Sequence, residues 1–193
     1  MMKDTQITRS LNDTIDQIAL ANHCQAGAVV AMSGAMAVAL GQATANGCLA
    51  EGTTGEAADA MHSMQRMMTT VRERYQALAV EDAQAITKFV QLRESGQALA
   101  GYSVLCDGPQ EMAQLAIQAA QQMQAYRPFV CERTHDDLEF ALVLITGVAR
   151  AATQLLDSNL RIWPLPELLA KYDPAVKALY AQLDLLQPVA RIR

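Results

Sequence analysis

Aromatic residues are scarce in this chain of 193 residues: Phe, Tyr and Trp together make up 5%, and charged residues only 18%. So few rings exclude an aromatic-rich β-sandwich core. The 51% hydrophobic content must come from Ala, Leu, Val and Met, which favour close-packed helices. Basic clusters are also missing. Lys and Arg number 15 against 20 Asp and Glu, for a net charge of -5 and a pI near 5.1. Nucleic acid is therefore not an expected partner, because phosphate contacts need concentrated Lys and Arg. The four cysteines (Cys24, Cys48, Cys106, Cys131) form no CxxC pair, and the three histidines (His23, His62, His135) are as scattered. That spacing predicts no metal site, and lone thiols of a reducing cytoplasm. The polar stretch Met1 to Ser10, with Lys3, Asp4 and Arg9, does not read as a signal peptide. Strand alternation, internal repeats and low-complexity linkers are absent too. The expectation is one all-α domain over 1–193, a bundle of about six helices.

One uncharged run is long. From Gln17 to Ala50 no Asp, Glu, Lys or Arg occurs, which is enough for a membrane span by length. Gln25, Ser33, Gln42, Thr44 and Asn46 interrupt it, its bulk is Ala and Gly, and no Lys/Arg flank brackets it. A helix buried inside a helical protein accounts for it better, and no membrane association is expected. The spacing places a first helix over 5–22, with Ile7, Leu11, Ile15 and Ile18 on one face. A turn around His23 to Gly27 precedes a second helix to about Gly47. There Gly27, Gly34 and Gly41 recur every seven residues. Interior glycines cost on the order of 1 kcal/mol each against Ala, and close helix-helix contact is the simplest offset.

A third helix is expected from Glu56 to Arg93. Its stripe reads Met61, Met64, Met68, Val71, Tyr75, Leu78, Asp82, Ala85, Phe89, Leu92, apolar or aromatic everywhere except Asp82. A carboxylate on a buried face is costly unless it is paired, hydrogen-bonded or facing a cavity. Two readings follow: a helix-to-helix hydrogen bond or ion pair to an Arg, or a functional residue in a pocket wall. A fourth helix is expected to begin at Gly108-Pro109 and stop at Arg127-Pro128. A fifth begins at Thr134, with Thr134 and Asp137 as a capping-box-like pair, and runs to about Trp163. After Pro164 and Pro166, a last helix begins with Asp173 as cap and Pro174 behind it.

Four segments carry a resemblance. The stretch AVVAMSGAMAVAL (28–40), the run VRERYQALAVEDAQAI (71–86), DDLEFAL (136–142) and NLRIW (159–163) are similar, in this order, to segments of the formiminotetrahydrofolate cyclodeaminase family, which also includes methenyltetrahydrofolate cyclohydrolases. The resemblance implies an all-helical fold, a homodimer, and a folate or pterin-like small molecule as ligand. No cofactor is implied beyond a tetrahydrofolate derivative as substrate. Carried onto matching positions, it makes Asp82 the catalytic residue and Gly27, Asp137 and Asn159 substrate-binding residues. Two departures stand beside it. The family's glycine-rich turn is here Cys24-Gln25-Ala26-Gly27-Ala28, and its lysine-rich run is Ala50-Glu51-Gly52-Thr53. The implied activities are cyclodeaminase, forming methenyl-tetrahydrofolate and ammonia, or methenyl-tetrahydrofolate cyclohydrolase. The alternative is a catalytically degenerate relative that binds such a ligand or serves as a dimeric partner.

Overall fold

In a computed structural model, which describes residues 11–21, 25–187 and 189, the chain is all-α. Six α-helices follow in order: α1 (Leu11–Leu20), α2 (Ala26–Ala50), α3 (Glu56–Glu94), α4 (Ala98–Tyr126), α5 (His135–Ile162) and α6 (Pro166–Leu185). Short 3-10 turns, Arg127–Phe129 and Glu132–Thr134, join α4 to α5. Brief connections make sequential helices antiparallel neighbours. α2, α3, α4 and α5 accordingly form a ring in which each packs on the next and α5 closes back on α2, while α6 covers α5 and α4.

The core has the aliphatic composition expected. Met61, Met64 and Met68 of α3 and Met112 and Met123 of α4 meet an almost continuous series of alanines from α2, α4 and α5. The small-residue stripe of α2 brings α3 and α4 close. A Cβ at Gly34 would lie 2.7 Å from the Tyr75 ring, and one at Gly41 would strike the Met123 methyl. Tyr75 is itself pinned, its hydroxyl donating to Met112 O at 2.6 Å.

Several boundaries differ from expectation, each for a local reason. α1 spans Leu11–Leu20, with Ile7 outside the described residues. Ile15 is exposed, and Thr14 is buried. His23 and Cys24 are also outside the described residues, and Gly27 lies in the first turn of α2 rather than in a turn before it. α4 begins ten residues earlier than Gly108-Pro109, so Pro109 is inside the helix. Proline has no N–H for the carbonyl four residues back. The freed Leu105 carbonyl accepts a hydrogen bond from Asn159 Nδ2 at 2.7 Å, which lets α4 run through. Pro166, not Asp173, opens α6; the early turns are anchored by buried Leu168 and Tyr172, and Asp173 pairs with Lys177 at 2.6 Å. Thr134 precedes α5 but makes no side-chain cap. Its hydroxyl turns toward Cys48 Sγ (3.3 Å) and Cys131 Sγ (3.2 Å). Those cysteines are not lone: Cys48 and Cys131 are joined as a disulfide with Cα atoms 5.5 Å apart, and Cys106 is a free, buried thiol.

Candidate active site

The antiparallel ring gives the bundle two chemically different ends. At one end lie the start of α2, the second half of α3, the start of α4 and the end of α5; at the other lie their opposite termini. Asp82 sits on α3 at the level where α2 begins. From there α3 continues to Glu94, three more turns or about 18 Å. That extension carries an aromatic cluster, in which the Phe89, Tyr102 and Trp163 ring centroids are 5.0–6.0 Å apart.

Asp82 and Gly27 are in direct contact. The Asp82 carboxyl occupies the space where a side chain at Gly27 would project, so only glycine fits there without displacing it. The Ala28 backbone N–H faces that carboxyl and favours its charged form. The first N–H groups of a helix have no partner within the helix, and Gln25 at the N-cap of α2 supplies none from its side chain. Asp82 therefore lies at the N-terminus of α2, on the neighbouring helix. No cation pairs with Asp82 among the described residues, so the ion pair to an Arg is not formed, and the Ala28 N–H is the polar group that faces the carboxyl.

Burial pushes the Asp82 carboxyl above the ordinary Asp range, and the Ala28 N–H offsets this in part. A guanidinium is near in sequence but already taken. Arg74 is clamped by Glu81 (2.7 and 3.1 Å) and Glu111 (2.6 and 2.7 Å). Those bonds hold its charge more firmly still and draw Glu81 below its usual value. A carboxyl raised by burial, at a helix N-terminus and without a counter-ion, has the character of a general acid/base.

The other residues divide between the ends. Asn159 is at the Asp82 end, with its amide nitrogen engaged by Leu105 O. Asp137 is exposed in the first turn of α5, at the opposite end, about 33 Å along the helix from Asn159. The Ala50–Gly55 loop is at that far end too, where Glu51 pairs with Arg133 at 2.8 Å. Within one chain, then, Gly27, Asp82 and Asn159 share an end and Asp137 does not. Sequence reasoning missed the Cys48–Cys131 pairing, because 83 residues separate the two. It missed the Leu105–Asn159 bond as well, for which Pro109, four residues after Leu105, was the available signal. Among the described residues no three His, Cys, Asp or Glu side chains converge as a metal would require.

Residues 10–170 match the sequence pattern described as formiminotransferase-cyclodeaminase. No curated protein matches the chain in sequence. Among solved structures, it is similar to a formiminotetrahydrofolate cyclodeaminase from Thermotoga maritima. The two share 20% identity with a TM-score of 0.79, over 91% of this chain and 90% of that one.

Proposed function

The chain belongs to the formiminotransferase-cyclodeaminase family, and from that premise we propose that it acts on a one-carbon unit carried by a tetrahydrofolate-like molecule, with Asp82 as acid/base. The observation that carries the reading is the Asp82 carboxyl: partly buried without a cation, raised above its ordinary range, and set on the first turn of α2 against Gly27. In the cyclodeaminase direction, a second folate nitrogen closes on the formimino carbon and ammonia departs. The protonated carboxyl delivers a proton to the departing nitrogen, and the carboxylate removes one from the attacking nitrogen. In the cyclohydrolase direction, the same carboxylate takes the proton of the water that opens the methenyl ring. The N-terminal N–H groups of α2 favour the anionic form during each cycle. Gly27 and Asn159 complete the ligand side of this reading. It includes a homodimer, with no nucleic acid or membrane as partner.

A second reading, a relative that binds the ligand without turning it over, is favoured by two departures. Cβ atoms stand at Gln25 and Ala26, where the family has glycines, and Glu51 stands where it has lysine.

The test is Asp82→Asn, assayed for methenyl-folate formation and hydrolysis together with melting temperature and folate affinity. An acid/base role predicts turnover reduced about 10²–10⁴-fold with the fold retained. Turnover unchanged in the variant removes Asp82 from the chemistry. A parent that binds but never turns over establishes the second reading.

A further inference from the structure

α2 and α5 lie side by side, and their outward surfaces are largely apolar. α2 contains no charged residue along its 25 positions, and α5 has none from Phe140 to Ala149. Large side chains project there: Met36 is 55% exposed, Phe140 49%, Val143 54% and Leu144 52%, with Val29 beside them at 36%. At their exposed fractions these five present roughly 400–500 Å² of apolar surface, more than half of the ~800 Å² per partner in a standard stable interface. Smaller neighbours add to it. A groove of about 280 Å³ runs between the helices, lined by Val29, Val30, Ser33, Leu144, Gly147 and Ala151 among others. Gly147 opens it, since a Cβ there would meet nothing within 4 Å.

We propose that a second copy of this chain packs on the α2–α5 face, with the two α5 helices antiparallel and the two-fold axis near Val143 and Leu144. An isologous contact must be self-complementary, and α5 has that property about this point. Phe140 projects on one side, and Gly147 leaves a hollow at the same distance on the other. A two-fold at residues 143–144 sets each Phe140 at the height of the hollow in the other copy. The same operation sets Asp137 at the height of Arg150 in the other copy. Both are exposed, and neither makes an ion pair among the described residues. Parallel α5 helices would instead oppose Phe140 to Phe140 and Asp137 to Asp137, leaving the hollow empty. Arg150 and Asp137, at the edges of the apolar stripe, also favour a protein over a bilayer as the covering partner. The antiparallel arrangement turns the Asp137 end of one copy toward the Asp82 end of the other. This inference rests on the homodimer included above and names its face.

The test combines mass measurement by light scattering with site-directed cross-linking. The parent is expected at twice the 20.9 kDa chain mass. Leu144→Cys is expected to give a covalent dimer under mild oxidation, with the parent as control for the native cysteines, because residues near a two-fold approach within disulfide reach. Phe140→Asp should be monomeric with unchanged helicity. Arg150→Asp should weaken the dimer about 2- to 10-fold, and Asp137→Arg in the same chain should restore it. A dimer in which Leu144→Cys does not cross-link and Phe140→Asp has no effect overturns this face while leaving the dimer standing. A monomeric parent overturns both. A monomer that floats with phosphatidylcholine vesicles, losing that ability in Phe140→Asp, assigns the face to lipid and overturns the proposal. The Asp82→Asn assay is independent of all these outcomes.

Discussion

Glu139 and Asp82, one buried and one partly buried, lie at opposite ends of the bundle and are treated in opposite ways. Glu139, nearly inaccessible on α5, receives both arms of the Arg127 guanidinium at 2.7 and 2.9 Å. It lies at the end also held by Cys48–Cys131, by Tyr126 Oη donating to Cys48 Sγ, and by Glu51–Arg133. Asp82, at the other end, has no guanidinium, although Arg74 is only eight residues away and is held by two other acids. A carboxylate serving packing alone is most simply satisfied by a bidentate Arg, which fixes its charge. One left on a helix N-terminus keeps a titration that surroundings and ligand can move. The difference separates an end whose carboxylate is ion-paired from an end whose carboxyl is not.

Breaking the ion-paired end should have the largest effect. Arg127→Ala leaves Glu139 buried and unpaired, and should cost about 3 kcal/mol. That is the low end for a broken buried pair, because the Arg127 side chain is itself 24% exposed. Arg127→Met with Glu139→Leu should recover most of it, since removing both charges removes the desolvation cost. Chemical denaturation of parent, single and double variants checks this. A single variant as stable as the parent would mean that Glu139 is solvated in solution, and the contrast between the ends would fail.

A smaller effect is expected where Gly27 meets Asp82. Gly27→Ala drives a methyl group into the carboxyl and pushes it off the Ala28 N–H, at a cost of about 1–2 kcal/mol. In an Asp82→Ala background the obstruction is gone, and the same change should be neutral or stabilising by up to about 1 kcal/mol through helix propensity. The coupling in this double-mutant cycle measures the contact. Equal effects in the two backgrounds would show that the two residues do not touch.

The smallest effect concerns pH. Burial raises the Asp82 carboxyl, so between its ordinary value and its raised one the folded state binds more proton than the unfolded state. Its contribution to stability is therefore greatest at low pH and declines as pH rises through that window, with a slope of at most about 1.4 kcal/mol per pH unit. Subtracting the stability–pH profile of Asp82→Asn isolates the contribution. A difference that instead grows with pH would indicate a cation beside Asp82, and the two ends would then be alike.

Much of the helical layout was legible because periodicity survives folding. The α3 stripe from Met61 to Tyr75, the stop at Tyr126–Pro128 and the α5 face from Leu138 to Leu156 lie where their spacing places them. Proline misled twice. Pro109 and Pro174 read as helix starts, yet both lie inside helices, and for Pro109 the compensating donor comes from Asn159, 54 residues beyond Leu105. Of the candidate site, Asp82 stood out as the one acid on an apolar stripe, and Gly27 through its seven-residue spacing. That they touch could not be read, because helix registry across α2 and α3 is set by packing.

What the sequence determined by itself is what depends on neighbours along the chain: helix content, the apolar stripe interrupted by Asp82, the close-approach glycines and the family pattern. Tertiary structure alone decided which partner each polar group received. Arg74 went to Glu81 and Glu111 rather than to Asp82, Asn159 to Leu105 O, and Cys48 to Cys131. Asp137 was set at the far end from Asp82 because α3 and α5 run parallel in the antiparallel ring, with Asp137 at the start of α5 and Asp82 in the second half of α3. The physical reason is range. Helix propensity and periodicity act within a few residues, whereas desolvation and hydrogen-bond satisfaction are settled only when surfaces distant in sequence are brought together.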